Sequence, residues 1–259
     1  MTAAPPSTLD PAAREALAEL LLSVADDEFV IGFWDSEWTG IAPMLEEDVA
    51  TSSIAQDEIG HARALYELLA ELTEDDADRI AYARAATDFR HAALLNHARG
   101  DWAFSVARRY LYETADAVRL AALAQSAHEP LAALSGKMRR EETYHLLHAD
   151  AWLRRLAHAG PETRERLATA LRTLWTDAND MFAPLAGEEV LVRDGLLPRP
   201  MDSLHAEWEG QVRPVLEPIT GELPQASPAS DGRERRTDDF AWLHGEFTSV
   251  ARAEAGAMW

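Results

Sequence analysis

Apolar residues recur along this chain at intervals of three and four, and no Val/Ile/Thr-rich stretch of strand length alternates with period two. That pattern predicts an all-α fold, and the abundance of Ala, Leu, Glu and Arg agrees with it. A first helix is expected after Asp10-Pro11, a capping acceptor followed by a residue suited to the first turn, running to about Trp38 before Thr39-Gly40. Its inward stripe reads Leu17, Leu21, Val24, Glu28, Ile31, with a carboxylate in the middle of an apolar face. Further helices are expected over about 43–72, 75–96, 102–127 and, after His128-Glu129-Pro130, up to Gly160-Pro161. Helical stretches then reach about residue 182 and recur near 203–216 and 238–258. The last two are separated by GELPQASPASDGRERR, which reads as a Pro/Ser/Gly-rich surface loop. One domain over 1–259 is expected, with a core bundle over about 10–160 and a C-terminal helical extension over 161–259.

Two of the long helices carry the same signature. AQDEIGHAR contains Glu58-Ile59-Gly60-His61, and RREETYHLL contains Glu142-Thr143-Tyr144-His145. Glu-x-x-His sets both side chains on one helix face, about one turn apart. A single such motif arises readily by chance in a chain with nine histidines. The upstream spacing carries more weight, because Glu28 lies 30 residues before Glu58 and Glu113 lies 29 before Glu142. Within each hairpin both glutamates stand 12 to 14 residues from the connecting turn, about 18–21 Å along the helices, so all six side chains share one level.

Their neighbours are apolar. Glu28 follows Leu21 and Val24 on its face, Glu58 has Ile54 and Leu65, Glu113 has Val106 and Leu120, and Glu142 has Leu131, Met138 and Leu146. Four inward carboxylates without partners would cost several kcal/mol each, whereas two divalent cations cancel their charge. Two Glu-x-x-His motifs plus one Glu from each remaining helix describe the di-iron or di-manganese site of a ferritin-like four-helix bundle, with iron or manganese suited to these donors. Asp57 and Glu141, each directly before a candidate ligand, are placed to accept the second imidazole N–H of a ligating histidine on another helix.

The competing reading is an ordinary solvated face without metal. Arg109 lies four residues before Glu113 and Arg139 three before Glu142, at helical ion-pair spacing. Glu37, Glu46 and Glu47 read as helix-end and surface charge, and His145 with His148 offers at most a separate surface pair. Trp34, Trp38, Trp102, Trp152 and Trp175 read as packing anchors, and His91, His97, His158, His205 and His244 lack partners at ligand spacing.

Composition narrows the function. The 259 residues hold 24 Lys+Arg against 45 Asp+Glu, a net charge of −21, with short basic clusters only at Lys137, Arg139, Arg140 and Arg233, Arg235, Arg236. Nucleic acid and anionic membranes are therefore poor partners. The absence of cysteine excludes disulfides, thiolate zinc sites and cysteine nucleophiles, so any metal must sit on Asp, Glu and His. No apolar run approaches the roughly 18 residues of a transmembrane helix, and the first residues lack a basic head and apolar core, so a cytoplasmic protein is expected.

At these residues the chain resembles the PaaA/PaaC family of the multicomponent phenylacetyl-CoA ring epoxygenase. ADDEFVIGFWDSEW with the helix through AQDEIGHARALYELLAEL matches the family's first hairpin, and RRYLYETADAVRLAAL with KMRREETYHLLHADAWLRRL the second. ALRTLWTDANDMF, HAEWEGQVRPVLEPITGELPQ and RTDDFAWLHGEF with Trp259 look like the PaaC branch. The resemblance implies a scaffold subunit that pairs with a PaaA-type subunit holding the working di-iron site and the acyl-CoA. PaaB-type and PaaE-type reductase components would complete a system that epoxidises the ring with O₂ and NADPH, and an isolated PaaC-like chain could form a homodimer. Some PaaC members have lost metal ligands, whereas Glu28, Glu58, His61, Glu113, Glu142 and His145 are all present here. An independently active di-iron oxygenase is therefore the alternative, and a vestigial polar cluster without cofactor the fallback.

Overall fold

The computed structural model describes residues 9–253, and among them ten α-helices and three short 3₁₀ turns account for the regular structure, with no strand. Helix α1 (Pro11–Ser36) starts where Asp10 accepts the N–H of Ala13 at 2.9 Å. Helix α2 (Leu45–Thr73) returns against it, with Glu46, Glu47 and Asp48 facing the positive end of the helix dipole. Helices α4 (Trp102–Leu123) and α5 (Glu129–His158) form the second hairpin. Each begins at a capped N-terminus: Asp101 accepts from Phe104 N–H, and His128 Nδ1 from Leu131 N–H. Helix α4 ends earlier than residue 127 because Ala127 N–H and Ser126 Oγ turn away to the carbonyls of Gly195 and Leu196.

The expected helix over 75–96 is shorter. Helix α3 spans Ala77–Tyr82, and 3₁₀ turns follow at Ala86–Asp88 and Ala93–Asn96. Two buried carboxylates on α1 explain the change, since Asp26 and Asp27 draw the backbone N–H groups of Arg90 and Ala92 at 2.6 and 2.8 Å. A chain that spends its amides on side chains cannot keep them in a helical ladder.

Helix α6 (Pro161–Ala178), continued by a 3₁₀ turn at Asn179–Phe182, and helix α8 (Met201–Thr220) pack on α4 and on each other. Trp175 and Trp208, both fully buried, stack there with ring centres 5.4 Å apart. Between them, α7 (Glu188–Arg193) touches α1. The expected helix over 238–258 breaks into α9 (Asp238–Phe247) and α10 (Ser249–Ala253); residues 254–258 and Trp259 lie outside the described residues.

The Pro/Ser/Gly-rich stretch is not a loose loop. Arg233 is buried and binds Asp27 at 3.0 Å as well as the carbonyls of Arg90 and Met181. Asp180 accepts from Ala229 N–H and from Arg235. The second basic cluster is thus spent on internal contacts: Arg233 straps the C-terminal segment to α1, Arg235 to the 3₁₀ turn after α6, and Arg236 to the carbonyls of Phe89 and His91. Among the described residues no helix is long and apolar enough to cross a membrane.

Candidate metal centre

Glu28 comes from α1, Glu58 and His61 from α2, Glu113 from α4, Glu142 and His145 from α5, and all six are buried. Helices α2 and α5 run antiparallel, so Glu47 faces His148, Asp57 faces His145 and His61 faces Glu141. That register brings the two Glu-x-x-His motifs face to face. Donor atoms of Glu28, Glu58, His61 and Glu142 lie within 4.8 Å of one another, and so do those of Glu58, Glu113, Glu142 and His145. Glu58 and Glu142 belong to both sets, between two outer pairs.

The imidazoles point their Nδ1 atoms inward. His61 Nδ1 is 3.2 Å from Glu142, 3.3 Å from Glu28 and 3.8 Å from Glu58, while its Nε2 bonds Glu141 at 2.7 Å. His145 Nδ1 is 3.2 Å from Glu142 and 3.4 Å from Glu58, with Nε2 3.3 Å from Asp57. A carboxylate outside the cluster thus faces the far nitrogen of each ring. When Nε2–H donates outward, Nδ1 keeps its lone pair for a cation.

Orphaned atoms test whether cations fit. Glu28 Oε1, Glu58 Oε2, Glu113 Oε2, both oxygens of Glu142 and His145 Nδ1 are shielded from solvent and have no hydrogen-bond partner. Such atoms are costly to bury unpaired, and here they face one another. Most surrounding charges are matched among themselves, Arg119 and Arg233 with Asp116 and Asp27 and Arg84 with Asp26, while Arg109 is shared between Asp35 and the cluster. Four glutamates and two imidazoles, with one arginine between them, form a donor set that suits divalent cations.

Protonation behaviour points the same way. Burial, reinforced by the charges of Glu142 and Glu28, pushes the Glu58 carboxyl well above the usual range. Burial and Glu142 do the same to Glu113, although Arg109 opposes. Burial disfavours a charged His61 and a charged His145, but the glutamates close to each ring outweigh it and raise both. Burial likewise works against an ionised Glu142, yet the two imidazoles beside it, each 3.2 Å away, hold its carboxyl below the usual range.

The solvated-face reading meets two facts. Arg139 is exposed and forms no ion pair with Glu142, whereas Arg109 is buried and donates to both Glu58 and Glu113, at 2.6 Å to the latter. Glu47, expected as surface charge, accepts from Trp152 Nε1 at 2.6 Å and pairs with His148. Of the tryptophans, Trp34 and Trp175 are core anchors, while Trp38, Trp102 and Trp152 line a cavity of about 30 Å³ beside Arg109. His91 is buried, and His97 and His205 bond Asp177 and Asn179.

Sequence reasoning missed Asp26, Asp27, Asp35, Asp116, Arg108 and Arg119, which form the ionic frame around the cluster. A signal was present for two of them. Asp35 stands seven residues after Glu28 and Asp116 three after Glu113, both on the ligand face. A cleft of about 490 Å³ between α4, α5 and α8, with Tyr110, Thr114, Arg139 and Leu147 among its walls, reaches Glu142.

A family model described as phenylacetic acid catabolic protein matches residues 1–259. The C-type subunit of the 1,2-phenylacetyl-CoA epoxidase of Escherichia coli (strain K12) is 28% identical over 246 residues, covering 94% of this chain and 99% of that protein. The A-type subunit of the same organism's epoxidase is 25% identical over 183 residues, 70% of this chain and 58% of that protein.

Proposed function

The chain belongs to the phenylacetic acid catabolic protein family, and from that membership we propose that it is the C-type component of a 1,2-phenylacetyl-CoA epoxidase. The observation that carries this reading is coverage: the likeness to the C-type relative takes in nearly the whole of both chains, C-terminal helices included, whereas the likeness to the A-type relative stops short in both. In this role the protein pairs with a PaaA-type catalytic partner, served by PaaB-type and PaaE-type components. A cytoplasmic location belongs to the same proposal.

The six buried side chains would hold a di-iron centre, or manganese, with Glu58 and Glu142 shared and Glu28–His61 and Glu113–His145 as outer pairs. When bound, such a centre supplies Lewis-acid and redox chemistry toward O₂. The chain's own contribution is positioning. Glu141 and Asp57 fix the imidazoles, the Arg119–Asp27–Arg233 frame holds α1 and α4 in register, and buried Leu65, Leu120 and Met138 around the cluster exclude water.

A second reading, an independently active di-iron oxygenase, is favoured by the complete donor set and by the cleft that reaches Glu142. Co-expression with a PaaA-type partner separates the two. Stable co-purification, with no oxygenation of phenylacetyl-CoA by the iron-loaded chain alone, is expected. Failure to associate at micromolar concentration, together with turnover by the isolated chain, would replace the first reading with the second.

A further inference from the structure

The two halves of the cluster differ in one respect that the duplicated motif does not suggest. Glu58 and Glu142 are common to both halves, so the difference lies in the outer pairs: beside Glu28 and His61, the nearest guanidinium is that of Arg119. It stands 3.8 Å from Glu28, beyond hydrogen-bond reach, and is committed to Asp116 and Asp27. Beside Glu113 and His145, the Arg109 guanidinium donates directly to Glu113 and to Oε1 of the shared Glu58, the oxygen 3.4 Å from His145 Nδ1, while Glu58 Oε2 is the one near His61. The other terminal nitrogen of Arg109 pairs with Asp35, away from the cluster. Arg109 is buried, so this contact is made in a low-dielectric interior where an extra positive charge weighs heavily against a second cation.

Space lies behind the arginine. The cavity of about 30 Å³ bounded by Asp35, Thr51, Trp102, Ser105 and Arg109 has room for about two waters. Two polar atoms on its wall, Thr51 Oγ1 and Trp102 Nε1, are shielded from solvent and unpartnered. A guanidinium retracting from the glutamates keeps its bond to Asp35 and gains the Thr51 hydroxyl as acceptor.

Resting on the metal-centre reading, we propose that Arg109 is a movable internal cation that makes the two metal positions unequal. It neutralises Glu58 and Glu113 until a second divalent ion displaces it toward Asp35 and Thr51. Metal binding is then sequential, first beside Glu28 and His61 and then beside Glu113 and His145. Asp35 is a positioning residue, because its carboxylate holds the retracted arginine.

Cobalt(II) titration of the metal-stripped full-length chain, followed by visible absorption and calorimetry, tests this. The wild-type chain is expected to bind two ions in resolved steps, the second at least about tenfold weaker. Arg109→Gln should tighten the second step by about tenfold or more and leave the first unchanged. Asp35→Asn should move the second step in the opposite direction, because an arginine without its carboxylate clings to the glutamates. That pair of opposite shifts is not what a loss of packing produces. If Arg109→Gln does not fold, the Asp35→Asn titration decides alone, and an unchanged or tighter second step overturns the proposal. Two equal steps in the wild type overturn it while leaving the metal centre standing; no binding at all overturns both.

Discussion

Asp27 is the point at which the bundle and the C-terminal segment are tied together, and replacing it with Asn should show how much that tie contributes. Its carboxylate is fully buried and accepts from Arg119, from Arg233 at 3.0 and 3.1 Å, and from the backbone N–H of Ala92 at 2.8 Å. Asparagine keeps the shape and one acceptor oxygen but removes the negative charge. Arg119 keeps Asp116, with Glu28 3.8 Å away, and Arg233 keeps backbone carbonyls only. Breaking a buried pair by deleting one partner costs about 3–5 kcal/mol, because the remaining charge stays desolvated. Against a total stability of about 5–15 kcal/mol, that loss is large enough to displace a urea midpoint clearly. Limited proteolysis should at the same time find new cuts within residues 222–236, the segment Arg233 secures. The exposed Arg154–Asp150 pair supplies the contrast, and Asp150→Asn should leave the midpoint where it is. A loss below about 1 kcal/mol in Asp27→Asn, with 222–236 as protected as in the wild type, would refute the reasoning.

Glu141→Gln, which replaces the carboxylate bonded to His61 Nε2 at 2.7 Å, should weaken metal binding by about 10–100-fold in a calorimetric titration; an unchanged affinity would mean that the ring needs no outer support. Gly32→Ala would bring a methyl group to 2.9 Å from Ile59 and 3.1 Å from Glu58 Cβ, so α1 must shift off α2. A thermal melt should register about 1–3 kcal/mol of destabilisation, and an unaltered melt would show that the hairpin has slack. His91 is held neutral by burial and by the neighbouring Arg236 charge, so its folded pKa lies well below the ordinary value while the unfolded chain titrates near 6.5. The unfolded state then binds more protons below that pH, and stability is lost as pH falls, by about 2 kcal/mol between pH 7 and pH 5. Urea unfolding at the two pH values should show that loss in the wild type and not in His91→Gln; equal losses would contradict it.

The residues that converge were readable in advance because helical periodicity is a local property. Once Glu28, Glu58, Glu113 and Glu142 fall on apolar stripes at matched distances from two turns, antiparallel hairpins bring them level. Arg109 was visible only as a neighbour of Glu113. That it also reaches Glu58 and Asp35 depends on the register between α1, α2 and α4, which no intrahelical spacing encodes. The same limit hid the strap. Arg233 stands 206 residues from Asp27, and a segment rich in Pro, Ser and Gly gives no local sign that its arginines will be buried. Residues 83–96 failed for a related reason, since their backbone amides answer to Asp26 and Asp27 on another helix rather than to their own propensity.

Metal stoichiometry tests the account most directly. The full-length chain, loaded anaerobically with ferrous iron both alone and in complex with a PaaA-type partner, should carry two ions in its own bundle. Glu58→Ala/Glu142→Ala, which removes both shared ligands, should carry none, while exposed Glu46→Ala at the far end of α2 should keep both ions. A wild-type chain that stays metal-free under these conditions, or a double variant that binds as well as the wild type, would contradict the assignment of these six residues as a metal centre.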